Sequence, residues 1–223
     1  MLLALDSSTD SVSVALYDAS AVVAERTLDA TRRHSELLMP LINEVVSVAG
    51  AVPSDLSAIA VGVGPGGFTG LRVGLVSART LALALAIPCH GVVSLDAIAY
   101  AALADGLVDR EHPFGVAIDA RRREVFWARY EAGRRVGDAQ AGRPGDIAQD
   151  VLRGLPVVGD AATTYPEAFV QWIDARPSAT AIAQIASDPA CGFVTVPAAP
   201  VYVRRPDAAE PGTRKPATAV RDR

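Results

Sequence analysis

Two aspartates are the first candidates for chemistry, because each lies where a predicted strand ends and a short turn begins. Asp6 is followed by two serines and a threonine, and Asp119 by an alanine and three arginines. In some ATP-binding folds this turn carries an aspartate followed by glycines, whose amides bind phosphate. Neither turn contains a glycine, so β-carbons occupy the space that a phosphate needs. We interpret both as degenerate nucleotide hairpins whose aspartates cap their own turns, and we predict no nucleotide or other cofactor.

The histidines and cysteines do not form the pattern of a metal site. His34 would need a second histidine one helical turn later to hold a metal, but residue 38 is a leucine. His90 and His112 stand alone in the sequence, and the two cysteines do not form a C-x-x-C motif. The G-x-S-x-G elbow of a serine hydrolase does not occur either. We therefore predict no metal and no catalytic residue.

A glycine-rich turn, GPGGFTG at residues 64–70, joins a predicted strand at 57–64 to a predicted helix at 71–86. Its glycines would let the backbone approach another group closely, or the first amides of the helix would bind an anion. The spacing is not G-x-G-x-x-G, and no lysine follows the last glycine as a P-loop requires. We favour a tight turn with close helix packing over an anion site.

Composition limits the classes of function. The chain has 223 residues, of which half are apolar, so it can form one large or two small cores. A net charge of −4 argues against a dedicated nucleic-acid binder. The N-terminus lacks the basic start and apolar stretch of a signal peptide, and no charge-free apolar run reaches the ~20 residues of a membrane span. We therefore expect a cytoplasmic protein with no membrane contact.

The elements that must position these residues follow from hydrophobic periodicity, which predicts an α/β protein. Residues 1–104 give the order βββαβα with a further strand beyond, and the second half repeats strands followed by helices. Residues 209–223 are predicted to be disordered. The predicted strands are 2–6, 12–17, 22–28, 57–64, 88–93, 114–119, 124–130, 134–139 and 156–159. The predicted helices are 35–49, 71–86, 95–104, 144–152, 165–175 and 179–186.

Two of these helices carry more apolar surface than packing on one sheet requires. The helix at 35–49 is apolar over about 180° of its surface, whereas burial on one side needs little more than 100°. The helix at 71–86 has one apolar face for the sheet and a second face on which arginines alternate with apolar residues. The surplus is either a wide core face or a partner-binding patch, and we favour the patch. The predicted partner-binding residues, chosen from helical phase, are His34, Leu38, Leu41, Val45, Arg72, Val76, Arg79 and Leu83.

Four motifs, in this order, resemble the TsaB (YeaZ) family. They are DSST at 6–9, RHSE at 33–36, GPGGFTGLRVG at 64–74 and PVYVR at 200–204. The resemblance covers about residues 1–208 and implies an actin-like ATPase (ASKHA) fold. It implies two ribonuclease-H-like βββαβα halves, at 1–104 with the partner-binding helices and at 105–208. The chain departs from many relatives at Gly67, where they have serine.

The resemblance also implies a function, the synthesis of threonylcarbamoyladenosine on tRNA. In that family the subunit is non-catalytic and forms a heterodimer with the catalytic subunit TsaD, joined by the ATPase TsaE. The two N-terminal helices of each subunit form the interface. The catalytic relative has a metal-binding H-x-x-x-H motif where this chain has His34 and then Leu38. We expect an activating scaffold with TsaD-like and TsaE-like partners, and only indirect contact with tRNA.

Two other classes of function stay open from the sequence. An actin-fold ATPase or kinase would use Asp6 or Asp119 to orient Mg-ATP, and would be recognised by ATP binding that Asp6→Asn abolishes. A self-associating homodimer with a regulatory role would cover the same helical patch with a second copy. Variants that break the dimer and leave tRNA modification intact would identify that role.

Overall fold

In the computed structural model, residues 1–18, 21–30 and 32–204 are described, apart from the side chain of residue 162. They form two mixed sheets with helices packed between and around them. The first sheet and its helices comprise β1 (Leu2–Asp6), β2 (Ser11–Asp18), β3 (Ala21–Asp29), α1 (His34–Val48), β4 (Ala58–Gly62), α2 (Phe68–Leu85), β5 (Cys89–Val92) and α3 (Ser94–Ala104). A short 3₁₀ turn, Pro53–Asp55, precedes β4.

The remaining elements belong to the second half of the chain. They are β6 (Phe114–Asp119), β7 (Val125–Glu131), β8 (Arg134–Gly142), α4 (Pro144–Gln149), β9 (Pro156–Val158), α5 (Ala161–Thr164), β10 (Gln171–Ile173), α6 (Ala179–Ser187) and β11 (Val196–Pro197).

The two sheets have the same strand order. In the first, β1, β2 and β3 form an antiparallel meander, and β4 and β5 extend it in parallel on the other side of β1. The second repeats this with β6, β7 and β8 as the meander and β9 and β10 as the parallel strands. The order 5-4-1-2-3 therefore occurs twice, with β11 added to the edge of the first sheet. This confirms the prediction of an actin-like ATPase fold built from two ribonuclease-H-like halves.

Helices cover both faces of the first sheet. Every residue of its central strand β1 from residue 3 onwards is buried, and successive side chains of a strand point to opposite faces of the sheet. Helix α1 contacts β2 and α2, and α2 contacts β4. Helix α6 packs against β1, β2 and α3, although it follows the second sheet in the sequence. The C-terminal part of the described chain thus returns to the first sheet.

Several predicted elements are corrected by the structure. The predicted helix 165–175 is wrong, because this segment contains the strand β10, which extends the second sheet beside β9. The predicted helix 144–152 ends earlier, at Gln149, and α2 begins at Phe68 instead of residue 71. The short helix α5 was not predicted. The boundaries 1–104 and 105–208 stay a prediction, and the tail 209–223 lies outside the described residues.

Candidate functional site

The first predicted hairpin is closed on itself. Asp6, at the end of β1, is buried. Its Oδ1 accepts hydrogen bonds from the backbone N and the Oγ of Ser8, both at 2.8 Å. Its Oδ2 accepts one from Ser94 Oγ at 2.9 Å. Burial raises the pKa of the Asp6 carboxyl, against these hydrogen bonds, which lower it. Asp6 therefore caps its own turn and ties it to the start of α3.

The glycine-rich turn packs directly on this hairpin. Gly67 N donates to Ser8 O at 2.7 Å, and Ser7 Oγ donates to Gly70 O at 2.8 Å. A β-carbon at Gly66 would lie 2.2 Å from Ser8 O, and one at Gly70 would lie 2.5 Å from Ser7 O. The glycines are needed for close approach of two backbone segments. The turn serves packing, as the spacing of its glycines predicts.

His34 completes this contact from the first residue of α1. Its Nε2 lies 2.7 Å from Thr9 O, and because a carbonyl only accepts, the imidazole donates there. A β-carbon added at Gly70 would also meet the imidazole ring at 3.0 Å. His34 is partly buried between the hairpin and α2, so it anchors α1 to the hairpin instead of projecting toward solvent.

The second hairpin repeats the same arrangement with weaker burial. Asp119 Oδ1 accepts from Arg121 N at 2.9 Å, so it also caps its own turn. Its backbone N donates to Asp160 Oδ1 at 2.9 Å. Burial, with smaller contributions from the charges of Asp119 and Asp174, raises the pKa of Asp160 to about 6. In the described residues, no group of three or more metal-ligating side chains forms here or elsewhere.

The two hairpins face each other and are joined by an ion pair between Arg121 and Asp10. The space left between them, beside Gly67 and Gly70, is about 70 Å³. Sites for drug-sized ligands measure about 300–1,000 Å³. The turn residues with their β-carbons and the Arg121 side chain line this small space, so the residues present do not fit a bound ATP.

The α1 residues of the predicted partner-binding set lie on the opposite face from the one expected. Leu38, Leu41 and Val45 are buried and pack on the first sheet. The error is one of helical phase, since α1 is apolar over so much of its surface that the sequence does not show which side faces the sheet. The large apolar residues of α1 that are exposed are Met39 and Val48.

The α2 residues of the predicted set do lie together on the surface. Val76 is 64% exposed and Leu83 is 83% exposed. Arg72 and Arg79 are exposed beside them. We call the exposed row Phe68, Arg72, Val76, Arg79 and Leu83 the α2 stripe.

Helix α2 is apolar in composition although only one of its sides packs in the core. By length and composition alone, α2 is long and apolar enough to cross a membrane. One third of it, 33%, is buried inside the protein. It packs on β4 and α1 as a core helix does, and its other side is open. Beside the C-terminal half of the stripe lies an apolar groove of about 680 Å³, bordered by Ala82, Ile87 and Cys89.

Two aromatic residues at this surface were missed by the sequence reasoning. The Arg72 guanidinium carbon lies 3.7 Å from the ring centroid of Phe68, and its Nε donates to the hydroxyl of Tyr202 at 2.9 Å. The rings of Phe68 and Tyr202 are 5.8 Å apart. Tyr202 is 130 residues from Arg72 in sequence, and only its place in the PVYVR motif marks it beforehand.

Comparison with known proteins agrees with this architecture. The family model described as "TsaD: tRNA N6-adenosine threonylcarbamoyltransferase" matches residues 23–179. The chain is 37% identical over 210 residues to the uncharacterized protein Rv3421c of Mycobacterium tuberculosis, with 93% of each chain covered. It is 37% identical over 130 residues to the tRNA threonylcarbamoyladenosine biosynthesis protein TsaB of Escherichia coli, covering 58% of this chain and 55% of TsaB.

A solved structure extends the match beyond the N-terminal half. YeaZ from Pseudomonas aeruginosa superposes with a TM-score of 0.76 at 30% identity, covering 90% of this chain and 98% of that chain. The sequence match to Escherichia coli TsaB spans about half of that protein. The structural match spans both sheets, so the likeness is one of the whole fold. The chain belongs to the TsaB/YeaZ family.

Proposed function

We propose that this chain is a non-catalytic scaffold and activator subunit in the synthesis of threonylcarbamoyladenosine on tRNA. It forms a heterodimer with a TsaD-like catalytic subunit through the α2 stripe and the adjoining exposed side of α1. The single observation that carries the proposal is the exposure of Val76 and Leu83 on a helix whose other side is in the core. Large apolar side chains this exposed in one row mark a protein-binding surface.

The geometry of the hairpins supports the non-catalytic role. An ATPase or kinase of this fold needs open space and free carboxylates at the hairpins. Here both carboxylates are committed to turn hydrogen bonds, and the Arg121–Asp10 ion pair closes the space between the turns. The ATPase alternative is therefore not favoured.

The other partners follow from the same role. A TsaE-like ATPase joins the heterodimer, and tRNA contacts the catalytic subunit, so this chain meets tRNA indirectly. The complex acts in the cytoplasm. When the catalytic subunit is absent, a second copy of this chain covers the α2 stripe, because an exposed apolar row favours association.

Omission from a reconstituted reaction tests the proposal. Threonylcarbamoylated tRNA is measured after incubation of tRNA with the catalytic subunit, the TsaE-like ATPase and the threonylcarbamoyl donor, with and without this chain. We expect modification to be lost when this chain is omitted, and this chain alone to give none. Asp6→Asn, which keeps an acceptor for the Ser8 amide but not the acceptor for Ser94 Oγ, serves as the control for an ATPase role. Once circular dichroism shows that this variant is folded, it should leave modification unchanged. Full modification without this chain would overturn the proposal.

A further inference from the structure

The turn that follows Asp119 has a strained backbone. Arg121, Arg122 and Arg123 have φ values of 60°, 57° and 62°. This is the left-handed region, which residues with a β-carbon rarely adopt because the β-carbon crowds the backbone. Such a conformation persists only where surrounding contacts hold it, and it is often found at sites that change conformation. We call residues 120–124 the arginine turn.

Contacts from two directions hold the arginine turn. On one side, the Arg121 side chain is paired with Asp10 of the first hairpin. On the other side, Arg204 forms an ion pair with Glu124, and its Nη1 donates to the carbonyl of Ala120 at 3.4 Å. Two backbone hydrogen bonds also close the turn itself, at 3.0 and 3.1 Å. The strained conformation is therefore supported from outside as well as from within.

Arg204 belongs to a segment that is anchored on the first sheet. We call residues 196–204 the strap. It begins as β11, which pairs with β5 at the sheet edge. Further along, the amide of Val201 donates to the carbonyl of Val63, just after β4, at 2.8 Å. Val201 and Val203 are partly buried against the hydrophobic core. Through the strap, Arg204 therefore holds the arginine turn to the first sheet.

Tyr202 attaches the same strap to the start of α2, two residues before Arg204. Its hydroxyl accepts a hydrogen bond from Arg72 Nε at 2.9 Å, and its ring lies 5.8 Å from the ring of Phe68. Tyr202 is 44% exposed and Phe68 is 50% exposed, so a protein bound there would cover both. A continuous series of contacts thus leads from the α2 stripe through the strap to the arginine turn.

We propose that the strap is a latch that couples the α2 stripe to the arginine turn. While Arg72 holds Tyr202, Arg204 stays seated on the turn and the strained backbone is kept in place. When Tyr202 is released, the turn relaxes and the joint between the two halves loosens. On the basis of the heterodimer proposed above, a subunit bound over the α2 stripe excludes water from the hydrogen bond between Arg72 and Tyr202, which strengthens it and tightens the latch.

Hydrogen exchange of the free, full-length chain tests the latch. The amides of Ala120 and Glu124 report on it, because each is hydrogen-bonded within the turn. We expect Arg204→Gln to speed their exchange about tenfold, since it removes an ion pair and a hydrogen bond. Tyr202→Ala should speed it about threefold, although the contacts of Tyr202 are with α2. Both changes together should do no more than Arg204→Gln alone, because Tyr202 acts through Arg204.

A destabilising change elsewhere is the control for this experiment. Val45→Ala, at a buried residue of α1 outside the strap and the turn, lowers the stability of the whole chain. It should leave exchange in the turn unchanged, because the turn opens locally. Circular dichroism shows that each variant is folded. Wild-type exchange in Tyr202→Ala would overturn the latch, and so would equal acceleration by Val45→Ala, which would mean that the turn opens only when the chain unfolds.

A matched pair of changes at Arg123 tests whether the turn is strained. Arg123→Gly and Arg123→Ala remove the same side chain, but only glycine adopts a φ of 62° freely. We expect the amides of the turn to exchange about fivefold more slowly in the glycine variant than in the alanine variant. Equal exchange in the two variants would show that the latch has no strain to restrain.

The link to the catalytic subunit is measured separately, by exchange in the complex. We expect binding of the purified catalytic subunit to slow exchange of the turn amides about threefold, and Arg204→Gln to weaken binding by about the same factor, because coupling between two sites is reciprocal. Binding without slower exchange would show that the partner does not act on the latch. A chain that does not bind the catalytic subunit would overturn the proposed function, whereas the free-chain experiment still decides whether the latch exists.

Discussion

Asp160 is the residue at which protonation and folding are linked in a predictable way. Its side chain is partly buried beside Asp119 and Asp174, and its folded-state pKa is raised from 3.8 to about 6. For an acid whose pKa is higher in the folded state, the ionised form is disfavoured in that state. Its contribution to stability is therefore complete below about pH 4 and is lost as the pH rises through about 6.

Replacing Asp160 by asparagine removes this penalty. A shift of about two pKa units corresponds to about 3 kcal/mol, and partial solvation reduces this to about 2 kcal/mol. We expect Asp160→Asn to raise the free energy of unfolding by about that amount near pH 7.5 and to change it little near pH 4. Urea denaturation at both pH values measures it, with Asp138→Asn as the exposed control. An equal gain at both pH values would show that the cause is not ionisation.

Single residues also show how far sequence reasoning reaches. Asp6 and Asp119 were predicted to cap their turns, because both are followed by residues with β-carbons instead of glycines, and both do so. The pairing of Arg72 with Tyr202 was not predictable, because it joins residues 130 positions apart. Only the path of the chain after α6 brings them together.

Among the elements, the glycine-rich turn gives the sharpest contrast between neighbouring positions. A β-carbon at Gly66 would overlap the backbone of Ser8, whereas one at Gly67 would lie 3.7 Å from Ser8 O, an ordinary contact. The backbone at Gly67 has φ −61°, which any residue adopts. Because the two glycines are adjacent, substituting each in turn compares backbone packing at the same place in the fold.

We expect Gly66→Ala to lower the free energy of unfolding by about 2 kcal/mol or more, since the hairpin or the turn must shift. Gly67→Ala should change it by less than about 0.5 kcal/mol. Thermal and urea denaturation of the two variants measure the difference. A tolerated Gly66→Ala would mean that the turn does not depend on contact with the hairpin.

Some helices and strands were predicted from the sequence more accurately than others. The strands β1 and β2 were predicted to within one residue because turn residues separate runs of β-formers. The segment 165–175 was predicted as helix because its strand, β10, is three residues long and too short for periodicity to show. The phase of α1 was ambiguous because apolar residues surround half of it, so the sheet decided that Leu41 is inside and Met39 outside.

At the scale of the whole molecule, the two halves are held together by polar contacts across their junction. Asp96, at the start of α3, accepts hydrogen bonds from Tyr130 of β7 at 2.7 Å and from Arg135 of β8 at 3.0 Å. Burial raises the pKa of the Asp96 carboxyl, and the Arg135 charge opposes this. Together with the ion pair between Arg121 and Asp10, these contacts join the two halves of the chain.

The central claim is that the exposed side of α2 joins this chain to a TsaD-like subunit, and size-exclusion chromatography with light scattering tests it most directly. We expect the purified chain and its genome's catalytic subunit to elute as a one-to-one complex. Val76→Asp should weaken that complex tenfold or more, because a buried valine contributes about 1.5–3 kcal/mol. Val170→Asp, at a valine of the second half that is even more exposed than Val76, should leave it intact. A wild-type chain that elutes as its own dimer and ignores the catalytic subunit would contradict the account.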